Sequence, residues 1–329
     1  MRRWLEDVWY GEGSGGLLLR PLGALFAFLA GLRRRLFAAG VLPRHRAGAP
    51  VIVVGNINVG GTGKTPLTLW LARRLAERGR QPGIVSRGYG GDPGPRPLRV
   101  EPGSDPARVG DEALIFARHA GCPVYVHPDR VAAARAAVEA GADVVIADDG
   151  LQHYRLARDV EIAVVDFDRG LGNGRCLPAG PLREPAERLD TVDQVFSQGL
   201  TGIDHAIGFN LRPEGAVNLA DGSRRELTEF AGQAVYAIAG IGNPARFFRM
   251  LRDAGMKVIE HPLADHAEPS RQELDPPDAL PVFMTEKDAV KVGERAGRRH
   301  WYVPVSLDID AATADAFLER LDERLDAAR

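Results

Sequence analysis

The 329 residues are long enough for two domains, and 45% hydrophobic with 26% charged residues argues for a folded rather than a disordered chain. With 42 basic against 44 acidic residues the formal net charge is −2, so nothing in the overall charge marks a nucleic-acid binder. Cys122 and Cys176 are too far apart for a C-x-x-C pair, which argues against a disulfide framework or cysteine metal cluster and fits a reducing cytosol.

At the N-terminus, Glu6, Asp7 and Glu12 follow the basic Arg2-Arg3 and spoil a signal peptide. The run "PLGALFAFLAGL", Pro21–Leu32, is uncharged between Arg20 and Arg33-Arg34-Arg35. Crossing a bilayer takes about 20 apolar residues, so the run is too short. On a helical wheel Leu22, Leu25, Phe26, Leu29, Leu32 and Leu36 share a face, and Arg34 and Arg35 fall opposite. Proline near the start and arginines in the last turn suit a helix of this polarity. Pattern alone leaves two readings for it, a helix packed on the protein's own core or an amphipathic helix at a membrane interface.

Short β-branched runs then alternate with amphipathic segments, the signature of parallel α/β units. Strands are expected at Val51–Val54, Gly83–Ser86, Pro123–His127, Val144–Ala147 and Glu161–Asp166, with helices at Thr65–Arg78, Glu112–His119 and Pro128–Ala140. Gly170–Arg188, rich in Gly, Pro and Arg, reads as a loop or boundary. A second series follows at Val235–Ala239, Pro244–Ala254, Lys257–Glu260, Val282–Thr285, Lys287–Arg295 and Trp301–Val305, closed by a helix at Ala311–Ala328. The expected organisation is an N-terminal helix region over 1–40, a nucleotide-binding core over 41–165, a smaller α/β lobe over 166–305 and a terminal helix over 306–329. The fold class is α/β, a mostly parallel sheet of the P-loop NTPase type flanked by helices, with a cleft between lobes.

Between the first strand and the first core helix stands "NVGGTGKT", Asn58-Val59-Gly60-Gly61-Thr62-Gly63-Lys64-Thr65. It matches G-x-x-x-x-G-K-[ST] except that Asn58 replaces the first glycine. Glycines at 60, 61 and 63 let backbone N–H groups converge on phosphate oxygens, Lys64 neutralises phosphate charge and Thr65 can offer a hydroxyl to Mg²⁺. Asparagine tolerates left-handed backbone better than most residues, so Asn58 weakens the match without breaking it. "DVVIADDG" ends an apolar strand in Asp148 and Asp149, where P-loop enzymes hold Mg²⁺ or its water. If both are extended they point in different directions, one to ligate and one to orient. Asp111 and Glu112 in "VGDEA" fit a helix start, where Asp is a favoured cap, so a purely structural role competes with a chemical one. His266 in "ADH" carries no signal alone, and "GIGNP", Gly240–Pro244, reads as a strand-to-helix turn without the third glycine of a dinucleotide fingerprint.

Taken in order, "GNINVGGTGKTP", "SRGYG", "VGDE", "DDGLQH", "GNGRCLPAGPLRE", "AGIGNP", "ADH" and "MTEKDAVK" closely resemble the tetraacyldisaccharide 4'-kinase family, the lipid A 4'-kinases of Gram-negative bacteria. Ala113 and Leu151 depart from residues usual in that family, proline and phenylalanine. The resemblance implies transfer of the ATP γ-phosphate to a lipid disaccharide 1-phosphate, with Mg²⁺ as cofactor. It implies Asp111 as base, His266 tuning it, and Lys64 with the loop 58–65 and Arg183 on phosphates. Thr65, Asp148, Asp149, Gln152 and Glu184 then stand near the metal. A lipid substrate favours the interfacial reading of Pro21–Phe37, with Arg33–Arg35 meeting anionic headgroups at the cytoplasmic face of the inner membrane. The partners expected are that lipid and the membrane surface, with no nucleic acid and no protein partner. The rivals are membrane-associated P-loop switches. A partitioning ATPase needs lysine where Val59 stands, and a GTPase or metallochaperone needs N-K-x-D, whereas "TEKD" has Lys287 and Asp288 adjacent.

Overall fold

A computed structural model describes residues 2–11, 14–199, 203, 205–264 and 267–328. The chain opens with α1 (Arg2–Tyr10) and α2 (Arg20–Ala38), then runs β1 (Val51–Gly55), α3 (Lys64–Glu77), β2 (Pro82–Ser86) and β3 (Leu98–Arg99). Next come α4 (Pro106–Val109), α5 (Asp111–His119), β4 (Val124–Val126), α6 (Arg130–Glu139), β5 (Val144–Asp148) and β6 (Val160–Asp166). They are followed by β7 (Gln194–Gln198), β8 (Ile207–Pro213), β9 (Ala216–Asn218), β10 (Arg224–Arg225), β11 (Ala234–Ala239), α7 (Pro244–Asp253) and β12 (Lys257–Pro262). The last elements are α8 (Arg271–Leu274), β13 (Val282–Thr285), α9 (Glu286–Val292), β14 (His300–Val303), β15 (Val305–Asp308) and α10 (Ala311–Ala327).

The strands form two sheets, ordered β15-β8-β7-β6-β1-β5-β2-β4-β3 and β10-β9-β14-β13-β11-β12. In the first, β1 lies parallel between β5 and β6, with Val54 beside Asp148 on one side and Ile162 on the other. Every residue of β1, β2 and β5 is buried, as expected of parallel strands covered on both faces. Side-chain alternation assigns the two layers. Ile52 and Val54 join Leu67 and Leu71 of α3, Phe116 of α5 and Phe317 of α10. Val51 and Val53 face Ala133, Ala134 and Ala137 of α6. The second sheet buries Phe247 and Phe248 of α7 against Phe230, Phe283 and Trp301.

The sheet order corrects the expected boundary at residue 166. The runs "QVFSQ" and "IGFNLRP" form β7 and β8, which continue the first sheet in parallel beyond β6. The chain leaves that sheet after Pro213 and returns to it at Val305, where β15 pairs antiparallel with β8. The smaller sheet is thus an insertion, and its two connections touch where Glu214 N donates to Pro304 O at 2.9 Å.

Helix α2 packs through Gly23 and Ala27 and, near its end, through Phe37. A Cβ on Gly23 would collide with Ala179, and Ala27 packs on the α6 side of the large sheet. Leu22, Leu25, Phe28 and Leu29 remain 53–64% exposed, so this face is not spent on the protein's own core. The arginines differ from expectation. Arg33 donates to Gln152 O at 3.1 Å and lies over the rings of Phe37 and Tyr154, and Arg34 donates to Thr191 Oγ1 at 3.4 Å. Arg35 is exposed.

Candidate active site

The carboxyl ends of the parallel strands carry the candidate residues, at the crevice where α/β sheets bind ligands. The loop from β1 into α3 takes left-handed geometry at Gly60 and Gly63, with φ of 114° and 88°. Asn58 does not, so its tolerance of that geometry is not used. Its amide donates to Gly170 O at 2.7 Å, its main chain bridges Leu182, and Val59 N donates to Pro181 O at 2.8 Å. A side-chain amide braces the first half of the loop at the position where the standard motif has a flexible glycine. Helix α3 begins after Gly63 with no side-chain cap, so its first N–H groups and its dipole are available to phosphate.

Lys64, the first residue of α3, is 11% exposed at the side chain, and its Nζ lies 3.5 Å from Asp149 Oδ1. Asp149 is not extended but left-handed, at φ 47°, which turns it away from Asp148. Arg183 holds both of its oxygens at 3.0 Å. Burial alone would raise the Asp149 carboxyl, yet Lys64 and then Arg183 hold it well below the usual carboxylate range. Asp148 behaves oppositely. It is buried, Thr68 Oγ1 reaches its Oδ1 only at 3.5 Å, and Oδ2 has no partner. Burial first, then the charge of Glu112, push it up to about 8 against the pull of Lys64.

Gln152 Nε2 bridges Asn56 O at 3.1 Å and Glu184 Oε1 at 2.9 Å. Glu184 is buried and also accepts from Tyr154 Oη at 2.5 Å, with Arg188 at 3.4 Å. Gln152 and Glu184 therefore tie the start of the P-loop to the segment that carries Arg183.

Asp111 is the first residue of α5 rather than its cap, which is Gly110. Its Oδ1 accepts from Glu112 N at 2.9 Å, and its Oδ2 lies 3.6 Å from Lys291 Nζ. The contact crosses between lobes because α9 packs against α5. Glu286 meets His119 at 2.5 Å, Lys287 meets Glu112 at 3.0 Å, and Lys291 meets Asp111. In two of these pairs, Glu286 with His119 and Asp111 with Lys291, an acid at one helix start opposes a base at the other's end, complementing both dipoles, while Lys287 lies in the first turn of α9. On the opposite rim, Arg246 of α7 binds Asp166 at 2.6 Å and Asp168 at 2.8 Å. Gly242 sits against Gly61 with no room for a Cβ. His266 and its neighbour Asp265 lie outside the described residues.

Two cavities meet at this point. One, about 430 Å³, lies between the lobes and is lined by Lys64, Thr65, Gln198, Asn210, Phe247 and Met250. The other, about 740 Å³, runs from Asp149 and Arg183 past Arg87 and Arg130 to Phe26 and Leu29 of α2. Glu112 lines both. Arg130 is 5% exposed and its Nε has no partner; burial lowers it to about 10. Burial, then Arg130 and Arg158, push His153 down to about 4, so it is neutral near pH 7. No motif marks Arg130, which follows "HPD" at an ordinary helix start, and nothing local in "MTEKDAVK" tells that Lys287 and Lys291 reach the other lobe.

The family described as LpxK, tetraacyldisaccharide-1-P 4'-kinase, matches residues 16–326. The chain belongs to this family. A tetraacyldisaccharide 4'-kinase of Alkalilimnicola ehrlichii is 53% identical over 307 residues, covering 93% of this chain and 92% of the relative. Another, of Pseudomonas aeruginosa, is 49% identical over 325 residues, covering 98% and 97%. The crystal structure of LpxK from Aquifex aeolicus in complex with ATP superimposes with a TM-score of 0.75 at 27% identity, covering 94% of this chain and 99% of that one. The kinase family and its fold are thereby those expected from the motifs, and the rival P-loop switches are set aside.

Proposed function

We infer that the protein transfers the γ-phosphate of ATP to the 4'-hydroxyl of a tetraacyldisaccharide 1-phosphate, giving lipid IVA in lipid A biosynthesis. One observation carries this reading. Lys64 lines the interlobe cavity, Asp149 lines the cavity beside α2, and the two are 3.5 Å apart, so phosphate donor and acceptor meet at one wall. Phosphoryl transfer depends on positioning and charge, and these residues supply both. Lys64, the N–H groups of the loop 58–65 and the start of α3 hold the β- and γ-phosphates. Arg183 fixes Asp149 beside Lys64 and adds a cation to that wall. Asp111 takes the proton of the acceptor hydroxyl, with His266 tuning it.

Mg²⁺ fits the donor set at one point especially. Asp148 Oδ2 is buried without a partner, and Thr65 lines the same cavity as Lys64. Mg²⁺ takes one or two protein oxygens and leaves the rest to phosphate and water. Asp148 and Thr65 would hold it, with Asp149, Gln152 and Glu184 keeping the surrounding loops in place. When bound, it neutralises charge on the transferring phosphoryl group.

The second cavity suits an anionic sugar lipid. Arg87 and Arg130 line it at the polar end, and Phe26 and Leu29 open it towards the exposed face of α2. No helix among the described residues is long and apolar enough to cross a membrane. Helix α2 instead lies in the interface at the cytoplasmic face of the inner membrane, so that the acceptor headgroup reaches Asp149 while its acyl chains stay in lipid. The test is incubation of purified protein with labelled ATP and disaccharide 1-phosphate, with lipid products resolved by chromatography. A labelled bisphosphorylated product formed from ATP, and poorly from GTP, is expected. Hydrolysis of ATP with no labelled lipid would defeat the reading.

A further inference from the structure

Lys291 is a buried cation with an unusual set of partners. Its side chain is 7% exposed, and it lies on α9 of the inserted lobe, yet it reaches Asp111 on the other. A buried ammonium must be paired, and a lysine head is loose unless several contacts fix it. Two contacts in its own lobe do so. Nζ donates to Ala267 O at 3.2 Å and lies 3.4 Å from Asp288 Oδ1.

Asp288 is itself immobilised, with no exposed surface, because its Oδ2 accepts from Gly240 N at 2.9 Å and from Thr285 Oγ1 at 2.6 Å. An ammonium has three donors. With two taken by Ala267 and Asp288, the third is left for Asp111 Oδ2, at ion-pair distance. Since Asp111 Oδ1 accepts from the backbone of Glu112, the two contacts hold opposite oxygens of that carboxylate.

The lobes do not need this pair merely to adhere. Lys287–Glu112, Glu286–His119 and Arg246 with Asp166 and Asp168 already join them. Each of those pairs includes a side chain at least 26% exposed, whereas Lys291 and Asp111 are both 7% exposed. Of these pairs among the described residues, that of Lys291 with Asp111 is the one with both side chains almost wholly removed from water.

We propose that Lys291 is a positioning residue that seats the Asp111 carboxylate for proton removal, so that the base is aligned only when the inserted lobe is docked. The proposal rests on the reading of Asp111 as the base. The experiment measures kcat and both KM values for the wild type, Lys291→Met, Lys291→Arg, Asp111→Asn and the double variant Asp111→Asn/Lys291→Met. A misaligned base should lower kcat of Lys291→Met by about 10²-fold, with both KM values within about twofold of wild type. Lys291→Arg, which keeps the cation, should recover most of that loss. On the Asp111→Asn background the Lys291 change should cost nothing further, because residues acting as a unit are non-additive.

A raised KM for ATP with kcat intact would make Lys291 a structural tie and overturn the proposal. So would a double variant that loses the product of the two single effects. An active Asp111→Asn enzyme is a separate outcome, which removes the base itself and with it the proposal. Should Lys291→Met fail to fold, Lys291→Gln keeps a hydrogen-bond donor and carries the same comparison.

Discussion

Asp148 and Asp149 are adjacent in sequence and opposite in charge behaviour, and the difference lies in their neighbours. Asp149 has Lys64 and Arg183; Asp148 has a distant Thr68 and an oxygen with no partner. In metal-free protein Asp148 is held up to about 8, above the ordinary Asp value of about 4. Folding therefore takes up a proton between these values. The stability linked to this group is fully present below about pH 4 and is lost as pH rises towards 8. Asp148→Asn, which cannot titrate, should lack that loss, so melting curves from pH 5 to 8 in chelator should converge or cross. Curves that stay parallel would remove Asp148 as the titrating group. Lys64→Ala is the complementary test. It should reduce transfer by about 10²–10³-fold with little change in melting temperature, and near-normal turnover would dismiss the phosphate role of the loop.

Among the elements, α2 presents Leu22, Leu25, Phe28 and Leu29 outward and packs inward through Gly23, Ala27 and Phe37. Replacing both Leu25 and Leu29 with Glu should abolish flotation with anionic vesicles and leave the melting curve near that of wild type, since neither side chain is buried. High salt should weaken the wild-type association only partly, because Arg33 and Arg34 are already engaged with the protein. Unchanged flotation of the double variant would leave α2 without a membrane role. The apolar face of this helix was legible because it is local, repeating every three to four residues. So were β1, α3 and β5, where turn chemistry and apolar runs coincide. Strands β7 and β8 were not, because glutamines bound the first and the second carries Gly208 and Pro213 in a mixed run. The docking of α9 on α5 was invisible for another reason. Lys287 and Glu112 are 175 residues apart, and no local pattern encodes which helix a charged residue will meet. Asn58 shows the same limit within the motif itself, since its reason for being there is Gly170.

For the molecule as a whole, the decisive feature is the insertion of one lobe between β8 and β15 of the other. Phe317 of α10 packs edge-on against Phe196 of β7 at 5.0 Å and beside Trp70 of α3 at 6.4 Å, so the last helix closes the core built by the first half of the chain. Phe317→Ala should cost about 3–5 kcal/mol in denaturant unfolding, as for other large core truncations; a loss under about 1 kcal/mol would mean that α10 is peripheral. This topology also orders events at the ribosome. Strands β1 to β8 are synthesised before the inserted lobe, yet the edge of β8 and the surface around Trp70 and Phe196 stay uncovered until residues 305–327 emerge. The inserted lobe, whose ends meet at Glu214 and Pro304, can collapse on its own in that interval. During translation, then, the part of the enzyme made first is the part finished last, and a nascent chain stalled before residue 305 presents an open sheet edge to chaperones and to other copies of itself.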